Sequence, residues 1–143
     1  MAKKQIIGYT AGVYDLFHIG HLNLLKRAKE NCDKLIVGIT TDELVKYKGK
    51  TPVVTLDERM EIVKAIRYVD EVVVQDDLDK FNAWKKYHYD VLFVGDDWKG
   101  TEIWNKYEQQ LNAVGAKVVY FPYTKTTSST LLREVLNKIN EGR

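Results

Sequence analysis

The 143-residue chain lacks several features that would point away from an ordinary intracellular domain. Its one cysteine, Cys32, excludes an internal disulfide and predicts a reducing, cytoplasmic location. No apolar run is long enough to cross a membrane, and residues 1–5 are not followed by the apolar core of a signal peptide. The formal net charge is only +2, so the overall charge gives no indication of nucleic-acid binding. The length suits a single domain, spanning residues 1–143, with a sizeable core.

Short apolar, β-branched runs alternate with amphipathic stretches along the whole chain. Five such runs predict strands, at residues 6–9, 34–40, 71–74, 91–94 and 117–121. Helices are predicted between and after these strands. The first runs from His18 to Cys32, a short one follows Asp42, and another begins at a capping box formed by Thr55 and Glu58. The last three are predicted over 76–88, over 101–114 and after 124–130. The second run is apolar at consecutive positions, as in strands buried on both faces of a parallel sheet. We therefore expect an α/β, Rossmann-like fold, with a doubly wound five-stranded parallel sheet and helices on both faces.

Residues 5–32 combine an apolar strand, a glycine-containing turn and a helix start that carries His18 and His21. A strand–turn–helix brings backbone N–H groups and a positive helix end to one point, which suits a phosphate. Residues at i and i+3 share a helix face, so both imidazoles can face that point, and Gly20 leaves room for a close approach. A zinc site would need further ligands at a suitable spacing, and none follows. From the residues alone, phosphate binding and an ordinary polar turn both remain open.

Residues 46–55 interrupt the alternation with Gly49 and Pro52 and carry three lysines, Lys46, Lys48 and Lys50. One interpretation is a solvated basic loop. The other is a cationic flap over phosphates, because the loop follows the carboxyl end of a predicted central strand, where open α/β sheets bind ligands.

Two later segments also follow predicted strands. Asp96, Asp97 and Trp98 could bind a base or ribose through carboxylates and a stacking face, or could form only a capped turn. Residues 124–130 hold six hydroxyl side chains in seven positions. They open a helix, either as an elaborate N-cap or as a second phosphate site.

The run Gly-Val-Tyr-Asp-Leu-Phe-His-Ile-Gly-His at residues 12–21 resembles the signature of the HxGH nucleotidyltransferases. Within them the chain most resembles the bacterial glycerol-3-phosphate cytidylyltransferases, over nearly its whole length. The resemblance includes Thr-Asp-Glu at 41–43, the lysine loop, Arg-Tyr-Val-Asp-Glu-Val at 67–72, Gly-Asp-Asp-Trp-Lys-Gly at 95–100 and the hydroxyl segment.

This resemblance implies attack of a phosphomonoester on the α-phosphate of CTP, with Mg²⁺ bridging the CTP phosphates, pyrophosphate release and a CDP-linked product. It implies a homodimer, no nucleic-acid or membrane partner, and a product used in teichoic acid or capsule synthesis. The implied catalytic residues are His18, His21, Lys50 and Arg67. The implied nucleotide-binding residues are Val13, Tyr14, His18, Gly20, His21, Lys50, Asp97, Thr124, Ser128, Ser129 and Thr130. The implied acceptor-binding residues are Lys48 and Asp42. Residues 75–80 depart from the family pattern, and Lys80 in that segment is a further candidate for an acceptor contact.

The hydroxyl segment departs from that family, whose motif reads Arg-Thr-x-Gly-Ile-Ser-Thr-Thr. Tyr123 stands in place of the Arg and Thr126 in place of the Gly, while Lys125 could restore the charge. The Ser-Ser-Thr-x-x-Arg form that ends at Arg133 is similar to relatives that use ATP. Two alternatives therefore stay open, an adenylyltransferase acting on a sugar phosphate and a non-catalytic nucleotide sensor.

Overall fold

The computed structural model describes residues 4–47, 49–122 and 129–141, and the backbone alone at Ser129 and Thr130. The strands are β1 Ile7–Gly12, β2 Lys34–Thr40, β3 Glu71–Gln75, β4 Val91–Gly95 and β5 Lys117–Phe121. The helices are α1 Ile19–Glu30, α2 Asp42–Tyr47, α3 Leu56–Lys64, α4 Lys80–Tyr87, α5 Glu102–Ala113 and α6 Ser129–Glu141. A 3₁₀ turn, Asp96–Trp98, follows β4.

The five strands form one parallel sheet in the order β3-β2-β1-β4-β5, which confirms the doubly wound fold. The strand order reverses between β1 and β4. The β1–β2 pairing runs as far as Gly12 and Ile39, but the β1–β4 pairing ends at Tyr9 and Leu92. The two central strands therefore separate toward their carboxyl ends, which opens a crevice where such sheets bind ligands.

Each face of the sheet carries its own apolar core. On one face, α1 and α3 pack over a cluster that includes Leu25, Val37 and Val63. On the other face, Trp104 and Leu111 of α5 pack against the sheet in a cluster that also contains aromatic side chains. Nearly every side chain of β2 is buried, as its continuous apolarity predicts.

Three local predictions are wrong. The fourth helix begins at Lys80, not at residue 76, because Asp79 caps it by accepting hydrogen bonds from the N–H groups of Phe81 and Asn82. Thr55 is the N-cap residue of α3 but makes no side-chain capping bond, so the capping box does not form. The apolar spacing of Ile103, Trp104, Tyr107 and Leu111 predicts that they share the buried side of α5, but Ile103 is 53% exposed.

The described helices include none that is both long and apolar enough to cross a membrane.

Candidate active site

The turn between β1 and α1 is wound tightly, and two of its non-glycine residues have left-handed backbones. The φ angles of Tyr14 and Leu16 are 54° and 50°, a conformation that costs an L-residue roughly 1–2 kcal/mol. The Tyr14 ring is buried and packs edge-on against His21, with 5.2 Å between ring centroids. The side chain of Tyr14, which the resemblance assigns to nucleotide binding, thus contacts the His21 imidazole.

The two histidines form the N-terminal cap of α1. His18 is the N-cap residue, and its Nδ1 accepts a hydrogen bond from the Gly20 N–H at 3.0 Å. His21 Nδ1 accepts in turn from the His18 N–H at 3.3 Å, and the two rings stack with centroids 3.9 Å apart. The Gly20 N–H is therefore engaged by an imidazole.

These capping bonds fix how each imidazole can act. A neutral imidazole has one donor and one acceptor nitrogen. Because Nδ1 of both His18 and His21 accepts from the backbone, Nε2 of each ring carries the proton and can donate it. Burial lowers the pKa of His18, and burial together with the neighbouring His18 ring lowers the pKa of His21 to about 4. Both rings are thus neutral hydrogen-bond donors at pH 7.

Asp15 joins this turn to the lysine loop and to α6. Its carboxylate is 2% exposed and accepts from the backbone N–H groups of Val53, at 2.7 Å, and Val54, at 2.9 Å. It also forms an ion pair with Arg133 of α6. Burial opposes ionisation, but these backbone bonds and the Arg133 guanidinium together hold the pKa of Asp15 below its usual value. The loop that carries Lys50 is therefore fixed to the histidine turn by a buried carboxylate.

Arg59 of α3 is the largest fully buried side chain and joins the ends of two strands. Its Nη1 donates to the carbonyls of Val13 and Thr40, both at 2.8 Å, and its Nε donates to Val54 O at 2.9 Å. Its Nη2 forms an ion pair with Asp42 at 2.5 Å. No motif in the sequence marks Arg59 as a support of the site. The available signal was its position four residues before Val63, on the buried face of α3.

Lys50 lies at the mouth of a surface cavity of about 360 Å³ that Arg133 also lines. Lys50 is exposed, and its position is set by a backbone bond from its N–H to Val45 O at 3.2 Å. Lys50 and Arg133 border this cavity together with the Glu134 carboxylate, and Arg133 is itself paired with Asp15.

A second cavity, of about 350 Å³, lies at the carboxyl edge of the sheet and is called the cleft below. Its floor includes Val13 and Thr40, and its aromatic wall includes Trp98 and Trp104. Trp98 is 47% exposed, whereas Trp104 is buried. Asp97 lies beside Trp98 in the 3₁₀ turn and is exposed.

Arg67, implied to be catalytic, lies away from the histidine turn within one chain. Arg67 lies between α3 and β3, and Asp70, three residues later, bonds through its N–H to Leu35 O near the amino end of β2. The site is at Thr40, the other end of β2, roughly 16 Å away along the strand. The Arg67 guanidinium instead contacts Tyr68, donating to its hydroxyl at 2.9 Å.

Asp42 is also placed differently from the prediction. One of its oxygens is paired with Arg59, and the other accepts from the Leu56 N–H at 3.4 Å, so it braces the scaffold rather than facing an acceptor. Lys48, Thr124 and Ser128 lie outside the described residues. Ser129 and Thr130 open α6, but their side chains are outside the description as well.

Comparison with known proteins identifies the family. Residues 9–135 match the model of the cytidylyltransferase-like family. The chain belongs to this family of the nucleotidyltransferase superfamily. It is 37% identical over 132 residues to glycerol-3-phosphate cytidylyltransferase of Bacillus subtilis (strain 168), covering 92% of this chain and 95% of that protein.

A second kind of relative matches this chain over a similar length. The chain is 33% identical over 141 residues to FAD synthase of Thermococcus sibiricus, covering 97% of this chain and 95% of that protein. Among solved structures, the lipopolysaccharide core biosynthesis protein of Thermoplasma volcanium GSS1 aligns with a TM-score of 0.72 at 24% identity, covering 87% of this chain and all of that one. The last comparison shows that the two chains share a fold.

The described residues contain no group of three or more His, Cys, Asp or Glu side chains arranged to hold a metal ion. Asp15, the buried carboxylate of the site, is engaged by Val53, Val54 and Arg133. This donor set does not form a protein cage for Mg²⁺.

Proposed function

We propose that the protein transfers a cytidylyl group from CTP to a small phosphorylated alcohol, with glycerol 3-phosphate as the leading acceptor, and releases pyrophosphate. The observation that carries the proposal is the stacked pair His18 and His21, whose Nδ1 atoms are both engaged and whose Nε2 atoms are both donors. The 37% identity to a glycerol-3-phosphate cytidylyltransferase supports this choice of acceptor.

In the proposed reaction an oxygen of the acceptor phosphate attacks the α-phosphorus of CTP. A new P–O bond forms, the bond to the β-phosphate oxygen breaks, and pyrophosphate leaves. The acceptor needs no general base, because the second pKa of a phosphomonoester is about 6. Catalysis then depends on positioning and on stabilisation of charge.

The residues of the site divide this work. The Nε2–H groups of His18 and His21 donate to phosphate oxygens on which charge develops, without bringing a charge of their own to be desolvated. Lys50 offsets the charge of the two anionic substrates. Mg²⁺, bound mainly to the CTP phosphates, would supply further charge neutralisation. The turn that carries the histidines is held in place by Asp15 and Arg59, so the donors are preorganised.

A second candidate is adenylyl transfer to a larger phosphorylated acceptor. The 33% identity to an FAD synthase favours it, and the cleft of about 350 Å³ has an aromatic wall on which a ring of such an acceptor could stack. Both candidates use the same histidine pair and differ in the nucleotide and the acceptor.

Pyrophosphate release separates these candidates. CTP and ATP are each tested with Mg²⁺ and with glycerol 3-phosphate, FMN or a sugar phosphate as the acceptor. Release with CTP and glycerol 3-phosphate is expected, whereas release only with ATP supports the second candidate. No release with any pair would favour a nucleotide sensor and contradict both proposals.

A variant of His21 tests the residue assignment. His21→Asn keeps an acceptor near the position of Nδ1, so the cap of α1 survives while the Nε2 donor is lost. Turnover should fall by about 10²–10³-fold, which is typical for loss of one such donor. His88→Asn is the matched control, because His88 ends α4 with φ 48°, a backbone that Asn tolerates. Near-normal turnover by His21→Asn would remove His21 from the mechanism.

A further inference from the structure

The floor of the cleft holds a buried threonine, Thr40, which is the last residue of β2. Ile36 of the same strand packs in the apolar cluster that contains Leu92 and Trp104. Thr40 is four residues later, so its side chain is on the same face of the sheet. Leu92 and Trp104 also line the cleft. The Thr40 side chain is therefore on the cleft side of the sheet, and the residue is 1% exposed.

A neighbouring amide fixes the role that the Thr40 oxygen plays toward the protein. Lys80, the first residue of α4, donates from Nζ to Gln75 Oε1 at 3.1 Å. Because an ammonium can only donate, the other end of the amide, Nε2, faces Thr40 and donates to its Oγ1 at 3.0 Å. Gln75 is 5% exposed, so water has little access to this amide. The Thr40 oxygen is therefore an acceptor toward Gln75.

A hydroxyl that accepts one hydrogen bond still has its own hydrogen to donate. Within the part of the chain that the structure describes, the bond from Gln75 is the one hydrogen bond of the Thr40 hydroxyl, and the hydroxyl donates to no acceptor there. A buried donor without an acceptor is costly, because it has given up its bond to water. The Thr40 hydroxyl therefore presents one directed donor to a molecule that fills the cleft.

Thr40 lies on one side of the histidine turn, and the segment that suits a nucleoside lies on the other. The strand order places β2 and β3 on one side of β1, and β4 on the other. Asp97 and Trp98 follow β4, whereas the histidine turn follows β1. A nucleotide with its base near Trp98 and its phosphates at the histidines leaves the ends of β2 and β3 to the acceptor. Thr40 is therefore placed to contact the acceptor.

We infer that Thr40 determines the acceptor class of the cleft by donating a hydrogen bond to a hydroxyl oxygen of the acceptor's carbon chain, so that a phosphorylated polyol binds in preference to an alkyl phosphate. This inference rests on the proposed function and names a specificity-determining residue for it. Most of the other residues that line the cleft are apolar or aromatic and do not favour a hydroxyl. A site that donates to a substrate hydroxyl rejects the analogue that lacks it, because the buried protein group is then left without a partner.

Equilibrium binding measures this preference independently of turnover. Glycerol 3-phosphate is compared with propane-1,3-diol phosphate, which lacks the central hydroxyl, and with propane-1,2-diol 1-phosphate, which lacks the terminal one. Trp98 and Trp104 line the cleft, so tryptophan fluorescence can follow binding, with and without a non-hydrolysable CTP analogue. Glycerol 3-phosphate should bind about tenfold or more tightly than at least one of the two analogues, because that analogue leaves the Thr40 donor without an acceptor.

Two variants of Thr40 and a matched control identify the source of the preference. Thr40→Val removes the donor and keeps the shape of the side chain, so the ratio of the dissociation constants should fall to about threefold or less. Thr40→Ser keeps the hydroxyl and should preserve the ratio. Thr10→Val is the control, because Thr10 is also 1% exposed but donates to Phe93 O at 2.9 Å and is not among the residues that line the cleft. It should leave the ratio unchanged, and thermal unfolding checks that each variant folds.

Gln75→Glu tests the role of the amide while Thr40 stays in place. A carboxylate next to the Lys80 ammonium can only accept, so the Thr40 hydroxyl would donate its hydrogen to position 75 instead of to the ligand. The ratio should then fall as it does in Thr40→Val, although the hydroxyl is still present. Repulsion between the new carboxylate and the acceptor phosphate acts on all three ligands alike and therefore cancels in the ratio.

Several outcomes would overturn the role of Thr40. They are equal binding of the three ligands, no binding of any of them, an unchanged ratio in Thr40→Val or Gln75→Glu, and a lost ratio in Thr40→Ser or Thr10→Val. If Thr40→Val instead changed only the preference for CTP over 2′-deoxy-CTP, the hydroxyl would contact the ribose and the inference would also fail.

The same measurements separate this inference from the proposed function. If the hydroxyl preference depends on Thr40 but no nucleotide supports turnover, the selectivity stands and the proposed reaction fails. If pyrophosphate is released equally well with glycerol 3-phosphate and with both analogues, and binding shows no preference, nucleotidyl transfer stands and the role of Thr40 fails.

Discussion

Replacement of Arg59 by methionine tests whether one buried guanidinium holds the site together. Methionine has a similar length and no charge, so the variant removes four hydrogen-bond contacts while largely filling the same volume. The bonds lost are those to the carbonyls of Val13, Thr40 and Val54 and the ion pair with Asp42. These partners lie at the ends of β1 and β2, in the lysine loop and in α2.

The expected loss of stability depends on the partners that Arg59→Met leaves without a donor. A hydrogen bond that involves a charged group contributes about 1.5–3 kcal/mol, but bonds to one guanidinium are not additive. Asp42 is 31% exposed and can be rehydrated, whereas Thr40 is 1% exposed and its carbonyl would lose a buried partner. We therefore expect the free energy of unfolding to fall by about 3–5 kcal/mol, the usual loss when one partner of a buried pair is removed. A domain of this size has only about 5–15 kcal/mol in total.

Urea unfolding followed by circular dichroism measures this loss. With a slope of about 2 kcal/mol per molar urea, the midpoint should move down by roughly 2 M. Arg27→Met is the matched control, because Arg27 is exposed on α1, and it should change stability by less than about 0.5 kcal/mol. If Arg59→Met lost less than about 1 kcal/mol, the strand ends and the loop would have to be held together by other contacts, and the proposed role of Arg59 would be refuted.

Three further predictions concern the histidine turn. Because His18 and His21 act as neutral donors, kcat/KM should not fall between pH 7 and 8, and a fall there would indicate a required imidazolium. The folded-state pKa of His21 is depressed to about 4, so its contribution to stability is present above pH 6.5 and is lost as the pH falls toward 4. The free energy of unfolding, measured with urea between pH 7 and 4, should fall by at most about 3 kcal/mol because of His21, and His21→Asn should abolish this part of the loss. The Asp15→Asn side chain can accept hydrogen bonds through only one oxygen and cannot form the ion pair with Arg133. Amide hydrogen exchange at Val53 and Val54 should therefore accelerate about tenfold or more. Unchanged exchange would show that other contacts hold the loop.

The fold could be predicted because its signals are local. Each strand is an apolar, β-branched run between amphipathic stretches, and the second run, at 34–40, matches β2 to the residue. The parallel sheet follows from consecutive apolarity and from the helices between the strands. The ends of helices were less predictable, because Asp79 rather than residue 76 fixes the start of α4, and a cap is decided by one hydrogen bond.

The supports of the site could not be predicted, because their partners are far apart in the chain. Asp15 and Arg133 are separated by 118 residues, and Arg59 reaches Val13 across 46. No periodicity reports such pairs. Arg67 shows the limit of a motif match, since the fold of one chain places it near the amino end of β2, away from the histidine turn.

In the histidine pair, the hydrogen bonds that cap α1 also fix the protonation that the proposed chemistry needs. A neutral imidazole can carry its proton on either ring nitrogen, unless a protein group fixes which nitrogen accepts. Here the N–H groups of His18 and Gly20, which α1 cannot satisfy within itself, bind Nδ1 of both rings and so assign the protons to Nε2. Burial keeps both rings neutral, and stacking holds them parallel within 28°. The same two backbone bonds that start the helix therefore determine that the site presents two neutral donors, which is what a phosphoryl centre with an already ionised nucleophile requires.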